Sequence, residues 1–183
     1  MSLQLHVRWM HQSQTQELFL GRIPEGGKIL DFGCGSGRDS KQFLEKGFAV
    51  HAIDGSEEMC RLASEYTGIN VERMLFDELE AIEAYDGIWA CTSILHVEKE
   101  HLPTIIKKMT NAVKSGGIIY ASFKHGTFEG IIGERYFTYL TECSFKDLLK
   151  GVPELRLEKT WITKDVRTEK EGEQWLNVFL IKE

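Results

Sequence analysis

From Lys28 to Phe123 the chain alternates short apolar runs with segments of helical period, and the first of those runs breaks into a cluster of glycines. That stretch reads "ILDFGCGSGRDS", from Ile29 to Ser40. A short apolar run that ends in glycine and passes straight into a helical pattern is a strand, a tight turn and a helix. Repeating the unit builds a parallel sheet with helices on both faces.

The units follow one another in order. Lys28 to Phe32 is the first strand, and Arg38 to Lys46 is a helix stopped by Gly47. Ala49 to Ile53 is the second strand, after which Ser56 caps a helix carrying Met59, Leu62, Ala63 and Tyr66 at helical spacing. Val71 to Phe76 is expected as a third strand and Asp86 to Cys91 as a fourth. Leu102, Ile105, Ile106, Met109, Ala112 and Val113 then share one helical face before Gly116 and Gly117, and Ile118 to Phe123 is the fifth strand.

Beyond this point the pattern changes. Lys124 to Tyr139 is rich in glycine and aromatics, and Ser144 to Lys150 reads as a short helix. Leu155 to Lys164 and Gln174 to Lys182 alternate as strands, joined by the charged stretch Asp165 to Glu173, so the sheet is expected to end in an antiparallel pair.

With 183 residues, 42% of them hydrophobic, the chain suits one core and hence one domain. Its formal charge of -6 comes without any sustained basic run, which disfavours a nucleic-acid partner. The cysteines, Cys34, Cys60, Cys91 and Cys143, form no CxxC pair, so neither a disulfide scaffold nor a metal site is expected. No leader-like segment and no apolar run of bilayer length is present, and the expectation is a cytoplasmic protein with no membrane partner.

The glycines decide what class of ligand the first turn suits. A dinucleotide fingerprint needs G-x-G-x-x-G, but here Gly33, Gly35 and Gly37 alternate and Arg38 stands where the last glycine belongs. Pyrophosphate is therefore not the natural occupant. Asp54, ending the second strand, faces the same crevice and suits the two hydroxyls of a ribose, whether of NAD or of any adenosine.

"ILDFGCGSG", "VHAIDGSEEM", "MLFDEL", "YDGIWACTSILHV" and "AVKSGGIIYASF" together resemble, in order and spacing, the successive motifs of the class I S-adenosylmethionine-dependent methyltransferases. "GRDS", "SFKHG" and "RYF" are similar to the tellurite-resistance-like subgroup of small-molecule enzymes. The resemblance implies an α/β fold: a three-layer, Rossmann-like, doubly wound sheet of seven strands, mostly parallel, with an antiparallel last strand inserted between its neighbours. One such domain would fill the chain, with residues 1–27 as N-terminal helix and lead-in, 28–123 as cofactor-binding core and 124–183 as acceptor-side loop and hairpin. The implied cofactor is S-adenosyl-L-methionine. Asp31 would meet its ammonium, while Gly33, Gly35 and Gly37 pass its methionine portion. Asp54, followed by Gly55, would hold the ribose. Met59 would pack on the adenine, although methionines at helical spacing are often core. Asp77 would accept from the exocyclic nitrogen, or else cap a helix, and Cys91 and Thr92 would approach through backbone atoms.

Methyl transfer is an in-line displacement, so alignment and exclusion of water matter more than covalent catalysis. His96, in "SILHV", is placed to move a proton or to act as a structural hydrogen-bonder. Arg38, Lys124, His125 and Arg135 suggest a cationic patch for a small anionic acceptor. Residues 126–133 suit a mobile cover or a plain connector. Tyr136, Phe137 and Tyr139 would line the pocket or pack beneath it, with packing preferred for Phe137. The absence of an N-P-P-Y sequence and of a proline-cysteine pair disfavours DNA bases as acceptors. Trp9, Leu18 and Phe19 suggest one amphipathic N-terminal helix, leaving the pocket open or completed by a second subunit in a homodimer. Two alternatives to the enzyme stand at this level: a non-catalytic binder of the same cofactor, and a nicotinamide-dependent oxidoreductase.

Overall fold

The structure is a computed structural model, and its described residues are 14–165 and 172–183. Trp9 and the middle of the charged stretch between the last two strands lie outside them. The elements run α1 (residues 14–20), β1 (Lys28–Phe32), α2 (Arg38–Glu45), β2 (Ala49–Asp54), α3 (Glu57–Thr67), β3 (Glu72–Arg73), β4 (Tyr85–Ala90), α4 (Leu102–Ala112), β5 (Val113–Lys124), β6 (Glu129–Ile132), β7 (Arg135–Thr138), α5 (Glu142–Leu149), β8 (Leu155–Lys164) and β9 (Gln174–Lys182).

The main sheet has seven strands in the order β3-β2-β1-β4-β5-β9-β8. Every pair from β3 to β5 is parallel, whereas β9 runs antiparallel to both β5 and β8. The last strand is thus inserted between its neighbours, as the resemblance implied.

Successive side chains on each central strand point to opposite faces, and both faces are covered. On one face Leu30, Phe32, Ile88, Ala90, Ile119, Ala121 and Phe123 pack with Ile105, Ile106 and Met109 of α4 and Phe145 of α5. On the other face Ile29, Trp89, Ile118, Tyr120 and Phe179 pack with Phe19 of α1 and Phe43 of α2. Ala52 lies under Cys60 and Ala63 of α3, and Val50 touches the groups beneath both α2 and α3. Three layers result. In α1 Phe19 is fully buried, whereas Leu18, expected beside it among the apolar residues, is exposed.

The third strand is shorter than expected, only Glu72–Arg73, and Phe76–Glu78 is a turn of 3-10 helix. As an edge strand it pairs with β2 alone, through Ile53 and Asp54, and the ladder stops there: Met74 and Phe76 pack partly buried against the core while Leu75 is exposed. In α3, Leu62 and Tyr66 are exposed, and Cys60 and Ala63 make the buried face. β5 begins earlier than expected, with a bulge: Tyr85 opposes Val113 but Gly87 opposes Ile118. Gly116 lies within the bulge at a φ of 76°. The glycine- and aromatic-rich segment forms a two-stranded hairpin, β6 paired antiparallel with β7.

Candidate active site

β1 has β2 on one side and β4 on the other, so the strand order reverses there and a crevice opens beyond the carboxyl ends of these strands. The glycine turn occupies that position. Two of its glycines are there for the protein itself: a Cβ on Gly33 would come within 2.5 Å of Ser93 Cβ, and one on Gly37 within 2.8 Å of Thr67 Cγ2 and 3.0 Å of Ala63 Cβ. Gly35 is different. At a φ of +55° a Cβ there would meet nothing within 4 Å, so its missing side chain leaves open volume.

Asp54 closes the turn from the neighbouring strand. Its Oδ2 accepts from the Gly35 N–H at 2.8 Å and its Oδ1 from the Ser56 N–H at 2.9 Å. Each oxygen has a second lone pair for a ligand hydroxyl. Gly55 follows, where a Cβ would lie 3.2 Å from Leu75. Ser56 caps α3 by accepting from the Met59 N–H at 3.3 Å, leaving Met59 half-buried beyond the turn. Asp77 is exposed; Leu75 holds the N-cap position there, bonded through its N–H to Glu78, and the Asp77 carboxylate makes no hydrogen bond among the described residues.

Beneath the turn lies a buried acidic pair. Asp31 is 3% exposed and accepts from Ser40 Oγ at 2.5 Å. Burial, reinforced by the charge of Asp39, pushes its pKa up to about 7. Asp39 accepts from the indole Nε1 of the fully buried Trp89 and from Arg38 Nε, both at 2.9 Å. Cys91, at the end of β4, feels all three charged groups, and burial first and Asp39 next push its thiol up to about 12, which keeps it protonated and inert.

A cavity of about 370 Å³ opens beside this turn, within the size range of small-molecule sites. Arg38, Cys91, Thr92, His96, Lys124 and Arg135, all singled out from the sequence, line it together; Asp31, Asp54, Met59 and Asp77 are not among its lining residues. Thr92 holds a φ of 54°, rare for a β-branched residue, with its N–H donating to the buried Ser122 Oγ at 2.9 Å. Thr92 thus lines the cavity from the end of β4 in a strained conformation.

His96 sits on a 3-10 turn, Ile94–His96, with its ring edge-on to Phe137 at 4.6 Å. Its Nδ1 lies 2.7 Å from the carbonyl oxygen of Tyr136. A carbonyl only accepts, so Nδ1 carries the proton and Nε2 is the basic nitrogen of the neutral ring. Phe137 and Tyr139 therefore both line the cavity, while the Tyr136 hydroxyl donates to Glu129 at 3.0 Å.

The cationic patch expected from the sequence divides. Lys124 is buried at 5% exposure, with Nζ 3.1 Å from Asp165 Oδ2, in contact with Glu173 Oε2 and 4.1 Å above the Trp175 ring, so its charge is already matched. His125 pairs with Glu142 at 3.1 Å and does not line the cavity. Arg135, on β7, is exposed at the cavity, and its guanidinium makes no ion pair or hydrogen bond among the described residues.

Sequence reading missed Tyr120, Ser122, Trp175 and Asn177 in the wall. Insertion of β9 beside β5 brings them together, with Ser122 opposite Asn177 and Lys124 opposite Trp175. Tyr120 donates to Asn177 Oδ1 at 2.8 Å. No local pattern signals pairs this distant in sequence.

Residues 29–117 match the family model described as a methyltransferase domain. YqeM of Bacillus subtilis, designated a methyltransferase, is 32% identical over 114 residues, 56% of this chain and 46% of that protein. TehB of Haemophilus influenzae, named as a probable S-adenosyl-L-methionine-dependent methyltransferase, is 32% identical over 95 residues, 49% of this chain and 33% of its own. Over residues 29–117 the chain is similar to S-adenosylmethionine-dependent methyltransferases. The matches span less than half the length of these two relatives. Among solved structures, the 1,6-didemethyltoxoflavin-N1-methyltransferase of Burkholderia thailandensis, with that small molecule and S-adenosylhomocysteine bound, shares the fold at a TM-score of 0.74. The two are 22% identical, and the match covers 93% of this chain and 76% of that one.

S-adenosylmethionine is the cofactor of this family, and the open volume at Gly35 beside the Asp54 carboxylate fits its nucleoside. Among the described residues no helix is long and apolar enough to cross a membrane.

Proposed function

We propose that this protein methylates a small polar or anionic molecule, with Asp54 holding the cofactor's ribose, Met59 and Asp77 its adenine, and Asp31 its ammonium. The cofactor supplies a methyl group on a positively charged sulfur, which leaves as a neutral thioether. What remains for the chain is alignment, exclusion of water and, for a protonated acceptor, removal of one proton. Gly35 leaves the cofactor room, and the backbone of Cys91 and Thr92 borders the methionine portion.

The observation that carries this reading is that one cavity is lined both by Arg135, unpaired among the described residues, and by His96 with its proton committed to the Tyr136 carbonyl. Arg135 would draw an acceptor carboxylate, phosphate or phenolate by charge-assisted hydrogen bonds. His96 would take the acceptor's proton at Nε2. Phe137 and Tyr139 give the acceptor apolar walls, and the β6–β7 hairpin that carries Ile132 and Arg135 screens the reacting atoms from water. The small-molecule acceptor bound by the Burkholderia protein supports the same use of this cavity.

The test is methyl transfer from labelled cofactor into pools of small carboxylates, phosphates and phenols. Transfer to a member of these pools, with Arg135→Ala raising its KM and His96→Ala lowering kcat, is expected. Binding of S-adenosylhomocysteine without transfer to any pool would overturn the activity.

A further inference from the structure

Arg38 admits a different assignment from the acceptor role that its sequence position suggested. It is the first residue of α2, directly after the glycine turn, and its head group is anchored on one side only. Nε donates to Asp39 Oδ1 at 2.9 Å, and Asp39 is itself fixed by the indole N–H of fully buried Trp89 on its other oxygen. Neither Nη has a partner among the described residues, and the side chain, 37% exposed, lines the cavity beside Cys91 and Thr92.

This anchoring fixes where the free edge of the guanidinium can act. Tied at Nε to the first turn of α2, it stays near the glycine turn, whereas Arg135 stands on a separate hairpin with no anchor. Asp31 stands opposite Trp89 in the β1–β4 register, two residues before Cys91, and Arg38 lines the cavity together with Cys91. One carboxyl and one guanidinium therefore flank the end of β4. α2 begins at Gly37 without a side-chain cap, so its N-terminal dipole also favours an anion there. An α-amino acid carries the matching pair of charges on a single carbon. A planar guanidinium with a free Nη edge fits a carboxylate by two parallel hydrogen bonds.

We infer that the Nη edge of Arg38, oriented by Asp39, binds the carboxylate of the cofactor's methionine portion, so that Arg38 and Asp31 together form a clamp for its zwitterion. Arg38 is then a cofactor-binding residue, Asp39 is a positioning residue, and Arg135 alone faces the acceptor as an unpaired arginine. The claim concerns cofactor recognition and holds whatever acceptor the cavity takes.

The test compares two ligands that differ in the amino-acid portion: S-adenosylhomocysteine, which has it, and 5′-methylthioadenosine, which lacks it. Calorimetry on the wild-type chain is expected to show tighter binding of S-adenosylhomocysteine. Arg38→Gln should weaken that ligand by about 10- to 100-fold, the loss typical of a charge-assisted hydrogen bond, and leave 5′-methylthioadenosine unchanged. The unchanged ligand doubles as the control for folding. Asp39→Asn should narrow the preference between the two ligands in the same direction, whereas a merely structural role would lower the melting temperature without altering the preference. Equal weakening of both ligands by Arg38→Gln, no weakening of either, or a wild-type chain indifferent to the amino-acid portion would each overturn the assignment. A failure of transfer with the ligand preference intact would instead count against the acceptor reading.

Discussion

The backbone N–H of Gly35 donates to Asp54 Oδ2 at 2.8 Å, tying the turn after β1 to the end of β2. The same carboxylate accepts from Ser56, which opens α3, so one side chain sets the mutual position of the glycine turn and the next crossover. Asp54→Ala removes both hydrogen bonds and the ribose acceptor. Affinity for S-adenosylhomocysteine is expected to fall by about 10-fold or more, on the scale of a lost charge-assisted pair. Arg135→Ala should leave that affinity unchanged. Titration calorimetry on the two variants checks the division.

Gly35 and Gly37 should separate ligand space from packing space. Asparagine tolerates positive φ better than most residues. Gly35→Asn is therefore expected to keep the wild-type melting temperature within a few degrees and to lose cofactor affinity. Gly37→Asn, whose Cβ would press on Ala63 and Thr67 of α3, should lower the melting temperature markedly. Thermal unfolding with and without S-adenosylhomocysteine distinguishes them.

With its pKa raised to about 7, Asp31 should make cofactor binding pH-dependent if it meets the cofactor's ammonium as proposed. A ligand ammonium favours the ionised form, so below that pH binding must displace a proton, and affinity is expected to rise between about pH 6 and 8. The effect on folding has the opposite sense. Because the folded-state pKa lies above the ordinary carboxylate value of 3.8, the folded protein holds an extra proton between those values, and the Asp31 contribution to stability declines as pH rises toward 7. Asp31→Asn should flatten both profiles, measured by calorimetry and by melting temperature across pH.

Lys124 is expected to behave as a structural residue. Its side chain is 6% exposed and Asp165 is 4% exposed. Lys124→Met removes the cation from a buried pair and should cost about 3 kcal/mol or more. Glu173→Gln, removing the more exposed partner, should cost less. Denaturant unfolding of the two variants gives the comparison.

The sheet was legible because its signals are local. β1, β8 and β9 have the bounds that their apolar alternation predicts, and Ser56 caps α3 as its position implies. β3 was overextended because Met74 and Phe76 pack on the core from a turn and not from a strand, and periodicity alone does not separate these states. The β6–β7 pairing was not legible, and the segment reads as a mobile cover or a plain connector, because glycine and aromatic content alone does not set a register. Within the site, the pairing of Lys124 was not legible because its carboxylate partners stand 41 and 49 residues away. For Asp39 the clue was present, an acid in the first turn of α2, but its partner Trp89 lies 50 residues further on.

The most direct measurement is calorimetric titration of the wild-type chain and of Asp54→Ala with S-adenosylhomocysteine, beside a parallel titration with NADH. The account predicts saturable one-to-one binding of S-adenosylhomocysteine to the wild-type chain, sharply weakened by the substitution, and no heat with NADH. Binding of NADH instead, or S-adenosylhomocysteine binding that Asp54→Ala leaves untouched, would contradict it.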